Sequence, residues 1–170
     1  MTVMSIKKMG DPLLARQAKR VDLHSEQLIA DVSNMIDTMR YYQGVGLAAP
    51  QIGLSKRIII VEVDHNIRYP RASRIELNVL INPQIINFSA QKQSDWEGCL
   101  SLPELRGKVT RSCHITYRAK TLDGATIVNS VNGFYARIIQ HEIDHLDGVL
   151  YPQRMDDCSA FGYEDSLPAY

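Results

Sequence analysis

Two histidines four residues apart, with a glutamate directly after the first, form the part of this chain best suited to catalysis. His141, Glu142 and His145 lie in a stretch of helical hydrophobic spacing. Residues four apart share one face of a helix, so both imidazoles can bind one metal ion. Glu142 can then take a proton from water on that metal. The alternative is a helix with two solvated histidines, but the narrowness of the pattern favours a metal centre.

A catalytic metal centre usually has three protein ligands and one open position, and the third ligand has several candidates. The metzincin pattern would place a histidine where Tyr151 stands. Glu164, 19 residues after His145, keeps the ligand set of other zincins open, although its surroundings make a poor helix. Cys99 is the upstream candidate, because a thiolate with two imidazoles suits a borderline metal. A free cysteine, however, is more often a small buried hydrophobe.

A glycine-rich segment, GVGLAAPQ at 44–51, is the third region with chemical potential. It fits the dinucleotide fingerprint G-x-G-x-x-A, but a predicted helix precedes it, and Pro50 would interrupt the helix that must follow. Dinucleotide binding is therefore not predicted. Glycines let the backbone approach a ligand closely, and Gln51 would offer an amide donor beside that ligand.

Hydrophobic periodicity indicates the elements that must position these side chains. Two helical patterns bracket a run of β-like segments, which is typical of an α+β fold. We expect mixed or antiparallel sheets packed around a C-terminal metal-binding helix that carries HEIDH, with another helix near the N-terminus. The predicted elements are a helix from the N-cap Ser25 to about Gln43, strands at 57–63, 79–88 (with a bend or a sheet edge at Pro83), 108–118 and 125–131, and a helix from about Tyr135 to Leu146 with Gly148 just beyond it.

Length and composition limit the class of protein. The 170 residues carry no net formal charge and are 45% hydrophobic, which predicts one domain over 1–170 with a surface tail from about 154. Zero net charge argues against an overall basic surface for nucleic acid or membrane. No apolar run approaches a membrane span or the core of a signal peptide. Three cysteines, with Cys113 expected in the core of a strand and Cys158 in the tail, favour a reducing compartment, the cytoplasm.

Three segments together resemble the signature motifs of the peptide deformylase family. They are GVGLAAPQ (44–51), EGCLS (97–101) and QHEIDHLDG (140–148), in the family's order and spacing. The resemblance covers the chain from the N-terminal helix to about residue 153 and is closest to the bacterial type. It implies a hydrolase of protein biosynthesis that removes the N-formyl group from the N-terminal methionine of nascent polypeptides and releases formate.

The resemblance also implies a metal and a mechanism. The ligands would be Cys99, His141 and His145, holding Fe(II) as the native metal, while Zn(II), Ni(II) or Co(II) can occupy the site. Metal-bound water would attack the formyl carbon, with Glu142 as general base and then general acid. The oxyanion would be stabilised by the Gln51 side-chain amide and the Leu100 backbone N–H.

The substrate side of the site follows from the same resemblance. The backbone around Gly46 would bind an extended peptide start as an added strand, and a pocket would take the methionine side chain. Val45, Phe134 and Ile138 are the candidates to line that pocket, although helical spacing makes Phe134 and Ile138 equally good core residues. Arg106 matches an arginine on the family's substrate side.

Two carboxylates near the expected ligands are candidates to orient them, since a metal-bound histidine usually has its second nitrogen hydrogen-bonded. They are Glu97 and Asp144, and a structural ion pair such as Glu97 with Arg111 is the alternative.

Two other functions stay open: an endopeptidase using Glu164 as third ligand, and a catalytically silent relative that binds peptides or ribosomes. The expected partners are formyl-methionyl peptide starts and not nucleic acid or membrane. Docking on the ribosome through a basic C-terminal helix is not supported, because residues 156–170 hold no Lys or Arg.

Overall fold

The computed structural model describes residues 2–66, 69–70 and 72–167. Its helices and strands give an α+β fold, as predicted, and the strands within each sheet pair in antiparallel fashion. In chain order the elements are α1 (Leu28–Tyr41), β1 (Gly46–Ala48), β2 (Ile58–Val63), β3 (Ile75–Phe88), β4 (Lys92–Cys99), β5 (Leu102–Ser112), β6 (His114–Lys120), β7 (Thr126–Asn132), α2 (Gly133–Leu146) and β8 (Phe161–Tyr163).

The strands form two sheets. One has five strands in the order β1-β2-β3-β6-β7, and the other has three in the order β4-β5-β8. The chain passes between the sheets at Cys113, which separates β5 from β6. The predicted single strand at 108–118 is therefore wrong, and Cys113 is half-buried at this junction rather than in the middle of a strand. Alternation of apolar residues continues through the junction, so the pattern held no sign of it.

Strand β2 explains why the middle of the sequence reads as a continuous apolar run. Ile58 and Ile60 belong to a core cluster that includes α1, whereas Ile59 and Val61 belong to a cluster that includes α2. All four side chains are fully buried. Because successive residues of a strand point to opposite faces, a sheet covered on both sides requires apolar residues at every position.

Proline 83 lies inside β3, which pairs with a strand on each side. The register with β6 shifts between Ile81 and Gln84, so the strand is irregular at the proline. A proline has no N–H to donate to a ladder, and a bulge accommodates it. Of the two alternatives predicted for Pro83, the edge is wrong, because β3 is a central strand, and the proline instead lies at a register irregularity.

Helix α1 begins later than predicted. The N-cap is Gln27, and the Leu28 N–H donates to the Ser25 carbonyl 3.0 Å away, so Ser25 belongs to a turn before the helix. The helix packs its apolar face on the five-stranded sheet. Its buried Asp31 is ion-paired with Lys56.

Helix α2 is the central element of the fold. Its residues from Ala136 to Leu146 are all buried. Ala136, Ile139 and Leu146 pack on the five-stranded sheet, while the histidines face the end of β4. Gly148, with φ of 74°, follows the C-cap and ends the helix as predicted.

The segment after α2 returns to the smaller sheet. Strand β8 pairs with β5, with Arg106 opposite Gly162 and Gly107 opposite Phe161. The sequence analysis predicted no strand here, because three residues are too few to show a period. Within the described residues, no helix is long and apolar enough to cross a membrane.

Candidate active site and metal centre

Three buried side chains converge where α2 meets the end of β4. The ligating atoms of Cys99, His141 and His145 all lie within 4.8 Å of one another. The Cys99 sulfur is 3.2 Å from Nε2 of His145. One helical turn separates the histidines, and β4 ends at the cysteine. One thiolate and two imidazoles with a fourth position open are the donor set of a catalytic metal site.

The two other candidates for a third ligand lie elsewhere. Glu164 bonds to Arg106, with its Oε1 2.8 Å from Nη2. The Tyr151 ring is stacked beside His141 with 6.1 Å between centroids, and its side chain belongs to the core of the smaller sheet. Among the described residues, Cys99 is the group found with both histidines.

Glu97 fixes the orientation of His141. Its Oε2 lies 2.9 Å from Nδ1 of the ring, which leaves Nε2 for the centre. Arg111 donates to both oxygens of Glu97 at 2.9 Å, and Arg137 donates to Oε1 at 2.7 Å. Burial alone would raise the pKa of Glu97, but His141 and Arg111 outweigh it and hold the pKa well below its ordinary value. The predicted pair of Glu97 with Arg111 is confirmed, and Glu97 contacts the histidine as well.

Asp144 is linked to His141 indirectly, through Arg111 and Glu97. Arg111 donates to its Oδ2 at 2.5 Å, and Arg154 donates to its Oδ1 at 2.7 Å. Asp144 therefore holds the arginine that holds Glu97. Buried charges in a chain of this kind are compensated by their partners, whereas removing one partner leaves the next uncompensated.

The electrostatics of the three converging side chains suit a cation. Burial alone would raise the pKa of the Cys99 thiol, but His145 and His141 outweigh it and hold that pKa well below its ordinary value. Burial would lower the pKa of His141, but contacts with Cys99 and Glu97 raise it well above the ordinary value. The Cys99 thiolate faces the protonated imidazole of His141, and a metal ion can replace the proton at such a site.

Glu142 is placed to exchange protons beside this centre. Burial raises its pKa to about 7, with Cys99 and Glu97 adding to the effect and the two histidines opposing it. Its Oε2 is buried, and no group of the described chain bonds to that oxygen. A carboxyl group that titrates near neutrality can serve as base and as acid.

Gln51 points its amide nitrogen at the centre. The Ala48 N–H donates to its Oε1 at 2.8 Å, which turns Nε2 toward the Cys99 sulfur, 3.4 Å away, and the Ser101 hydroxyl, 3.3 Å away. Leu100 follows Cys99 in the turn between β4 and β5 and lines the same cavity. The Gln51 amide nitrogen therefore lies beside the Cys99 sulfur, and Leu100 belongs to the wall of the same cavity.

The N-terminal segment braces these donors. The Lys7 N–H donates to the Gln51 carbonyl at 2.7 Å, and the Met9 N–H donates to the Ser101 carbonyl at 2.9 Å. The Lys8 ammonium donates to the Leu100 carbonyl at 2.9 Å. The backbone at 7–9 thus joins the glycine-rich segment to the turn after β4.

Gly46 lies against helix α2, and its strand β1 is an edge of the five-stranded sheet. A Cβ atom there would lie 2.9 Å from Cδ of Glu142 and 2.9 Å from Cγ2 of Ile138. The position therefore requires glycine for the close approach of β1 to α2.

A cavity opens from the centre along β1 and β4. Val45, Gly46, Phe134 and Ile138 are among the residues that line it, and Ile138 is also part of the core. Arg106 is not among the residues found lining the described cavity, since its side chain is 2% exposed. The sequence analysis missed Tyr69, Trp96 and Arg137, which also line the cavity. Their segments gave no motif that would have singled them out.

Comparison with known proteins supports the motif assignment. The sequence model described as polypeptide deformylase matches residues 3–161. The chain is 46% identical over 166 residues to peptide deformylase 1 of Nitrosomonas europaea, covering 97% of this chain and 94% of the relative. It is 44% identical over 169 residues to peptide deformylase 1 of Prochlorococcus marinus, covering 98% and 88%.

Solved structures agree with this comparison. The chain is similar to a class I type b peptide deformylase from Acinetobacter baumannii, with a TM-score of 0.88, 40% identity, and coverage of 92% of this chain and 100% of the other. A second structure of that protein, with Met-Ala-Ser bound, has a TM-score of 0.87 at 40% identity, with coverage of 90% and 98%.

Proposed function

This chain belongs to the polypeptide deformylase family, and we propose that it hydrolyses the N-formyl group of the N-terminal methionine of nascent polypeptides, releasing formate. The observation that carries the proposal is the convergence of Cys99, His141 and His145 beside Glu142, at the end of an open cavity. That arrangement combines a metal-ligand set with a proton carrier and an amide donor, which is what hydrolysis of an amide requires.

We propose Fe(II) as the native metal, with Zn(II), Ni(II) or Co(II) as substitutes at the same residues. Cys99, His141 and His145 would hold it, and a thiolate with two imidazoles fits each of these ions. When bound, the ion supplies Lewis-acid polarisation of the formyl oxygen and lowers the pKa of coordinated water, so that attack on the formyl carbon occurs near neutral pH.

Glu142 carries the proton in this proposal. Its buried carboxylate accepts a proton from the attacking water and then delivers it to the leaving amine. The Oε2 atom, which has no partner in the described chain, is the oxygen available for this exchange.

The developing oxyanion is stabilised by the Gln51 amide and the Leu100 N–H. The Ala48 N–H holds Gln51 from behind, and the segment at 7–9 holds both donors in place before substrate arrives. Because such donors are preorganised, loss of one typically costs about 10²–10³-fold in rate.

The peptide substrate binds along the free edge of β1. The backbone at Gly46 would pair with the peptide as an added strand, and Val45, Phe134 and Ile138 would contact the methionine side chain. The Met-Ala-Ser peptide in the Acinetobacter relative supports a binding mode for short peptides beginning with methionine.

The site of action proposed is the cytoplasm, where nascent chains are made. We propose residues 1–170 as one domain, because α2 packs between the two sheets. The described part of the tail forms β8 and short turns rather than a basic helix.

The test is formate release from formyl-Met-Ala-Ser by anaerobic protein loaded in turn with Fe(II), Ni(II) and Zn(II). Wild type should release formate, with Fe(II) giving the highest rate. Glu142→Ala should reduce the rate by at least about 10²-fold, whereas Glu26→Ala, at an exposed glutamate before α1, should not change it. Absence of formate with every metal, despite bound metal, would overturn the proposal.

A further inference from the structure

An aromatic residue that no motif indicated forms part of the cavity wall. Tyr69 lines the cavity together with Phe134, and the two ring centroids are 4.8 Å apart. Phe134 is a proposed contact of the methionine side chain. Thioether sulfur packs favourably against aromatic ring edges, so a pair of rings is a suitable wall for methionine.

The Tyr69 ring is held from behind by a buried cation. Arg106 donates from Nη1 to the Tyr69 hydroxyl at 2.9 Å, and its guanidinium carbon is 5.7 Å from the ring centroid. The arginine passes beside Gly98 of β4, where a Cβ atom would lie 2.8 Å from Cζ. Glycine at this position therefore lets the guanidinium reach the tyrosine.

The arginine is in turn held by the segment that follows β8. Glu164 accepts from its Nη2 at 2.8 Å. The pairing of Arg106 with Gly162 across β5 and β8 sets the glutamate two residues further along the chain. A planar guanidinium bonded at two nitrogens has a fixed orientation, which a lysine ammonium would not have.

We propose that Tyr69 is a specificity-determining residue for the methionine side chain, and that Arg106 and Glu164 are positioning residues that hold its ring against Phe134. The inference rests on the proposed function. It gives Arg106 a role different from direct contact with substrate, because the side chain is 2% exposed and donates to Tyr69, which lines the cavity.

The proposal makes the tail part of the specificity apparatus. Loss of the Glu164 carboxylate would remove one of the hydrogen bonds that orient the guanidinium, and the tyrosine would then sample positions away from Phe134. The methionine pocket would widen, and discrimination between a long apolar side chain and a short one would fall.

The experiment compares methionine with alanine at the first position of the peptide. For metal-loaded protein, kcat/KM is measured with formyl-Met-Ala-Ser and formyl-Ala-Ala-Ser, and the Kd with Met-Ala-Ser and Ala-Ala-Ser by calorimetry. Tyr69→Ala should lower the methionine-to-alanine ratio about tenfold, within the range that apolar pocket contacts supply. Glu164→Ala should lower it about threefold, and Glu164→Gln, which keeps an acceptor for Arg106, should restore most of the ratio.

Asp165→Ala is the matched control, because Asp165 is the exposed neighbouring acid and bonds within its own turn to Ser166. It should leave the ratio unchanged. The double variant Tyr69→Ala with Glu164→Ala should behave as Tyr69→Ala alone, because residues that act in series are not additive. Melting temperatures of all variants report whether each is folded.

Two results would overturn the proposal: an unchanged ratio in folded Tyr69→Ala, or fully additive losses in the double variant. Failure of the proposed function is a separate outcome. If wild type released no formate from either peptide, the Kd ratio for Met-Ala-Ser and Ala-Ala-Ser would still test the role of Tyr69.

Discussion

The Glu97 carboxylate lies 2.9 Å from Nδ1 of His141, on the side of the ring away from Cys99. The ring therefore has one nitrogen bonded by protein and the other directed at the centre. Such an outer contact fixes the ring's tautomer and orientation and increases its basicity toward a metal.

From this contact we expect Glu97→Gln to weaken metal binding by about 10–100-fold. The amide cannot balance the two arginines that bond to Glu97, so the ring would lose its fixed position. The measurement is competition against a chelator of known affinity, with Glu26→Gln as the exposed control. An unchanged affinity in folded Glu97→Gln would contradict the role assigned to this carboxylate.

Replacing Cys99 by serine should remove tightly bound metal. A hydroxyl is a poor substitute for a thiolate at a borderline metal. Elemental analysis after desalting reports metal per chain, and Cys158→Ser, at an exposed free cysteine, is the control. Full metal occupancy in Cys99→Ser would instead point to a ligand set based on the histidines alone.

Gly46→Ala should be folded but nearly inactive. The added methyl would push against Glu142 and Ile138, each with an atom 2.9 Å from the new carbon. Overpacking of this kind costs about 1–3 kcal/mol in unfolding free energy, and a displaced catalytic group costs about 10²-fold in rate. Unfolding midpoints and formate release measure the two effects.

Gly162→Ala is a control for that variant. The nearest atom to the added carbon would be Cδ2 of Leu167, at an ordinary van der Waals distance of 3.4 Å. Equal loss of activity in both glycine variants would show that the close approach at Gly46 is not what limits substitution.

Acid should weaken the link between α1 and β2. Arg40 donates two hydrogen bonds of 2.7 Å to Glu62, and these hold the pKa of Glu62 below its ordinary value of 4.5, against a smaller opposing effect of burial. The charged form is therefore favoured in the folded state. Its stabilisation is present above pH 4.5 and is lost as the pH falls through the lowered folded pKa.

For Glu62→Gln we expect a loss of less than about 1 kcal/mol at pH 7, because Arg40 is largely exposed. Urea unfolding at several pH values should show that the difference from wild type shrinks in acid. A difference that stayed constant down to low pH would assign the loss to packing rather than to charge.

The chemistry of the site was easier to predict than the path of the chain. His141 and His145 need only one helix to meet, so their spacing was sufficient. Cys99 required the resemblance, because nothing local joins a residue in β4 to one in α2. The Glu97–Arg111 pair could be predicted because the two residues lie in neighbouring strands of one hairpin, β4 and β5.

Other features depend on contacts that a local pattern does not contain. The break at Cys113 lies inside an unbroken alternation, so only packing against two different sheets reveals it. The three residues of β8 form a strand because they pair with β5. Tyr69 lines the cavity, and its hydroxyl accepts a hydrogen bond from Arg106, a residue 37 positions away in the sequence.

The bracing segments at both ends of the described chain bear on the order in which the site is assembled during synthesis. The contacts of residues 7–9 with Gln51 and Ser101 can form once the first hairpin of the smaller sheet has been made. His141 lies 29 residues after the end of this hairpin at Ser112, and Glu164 follows later still. Since a chain is made from its N-terminus and folds as it emerges, the donors for the oxyanion would be in place before the metal ligands are complete. Metal capture would then be a late event in the maturation of each molecule, followed by the closing of the methionine pocket.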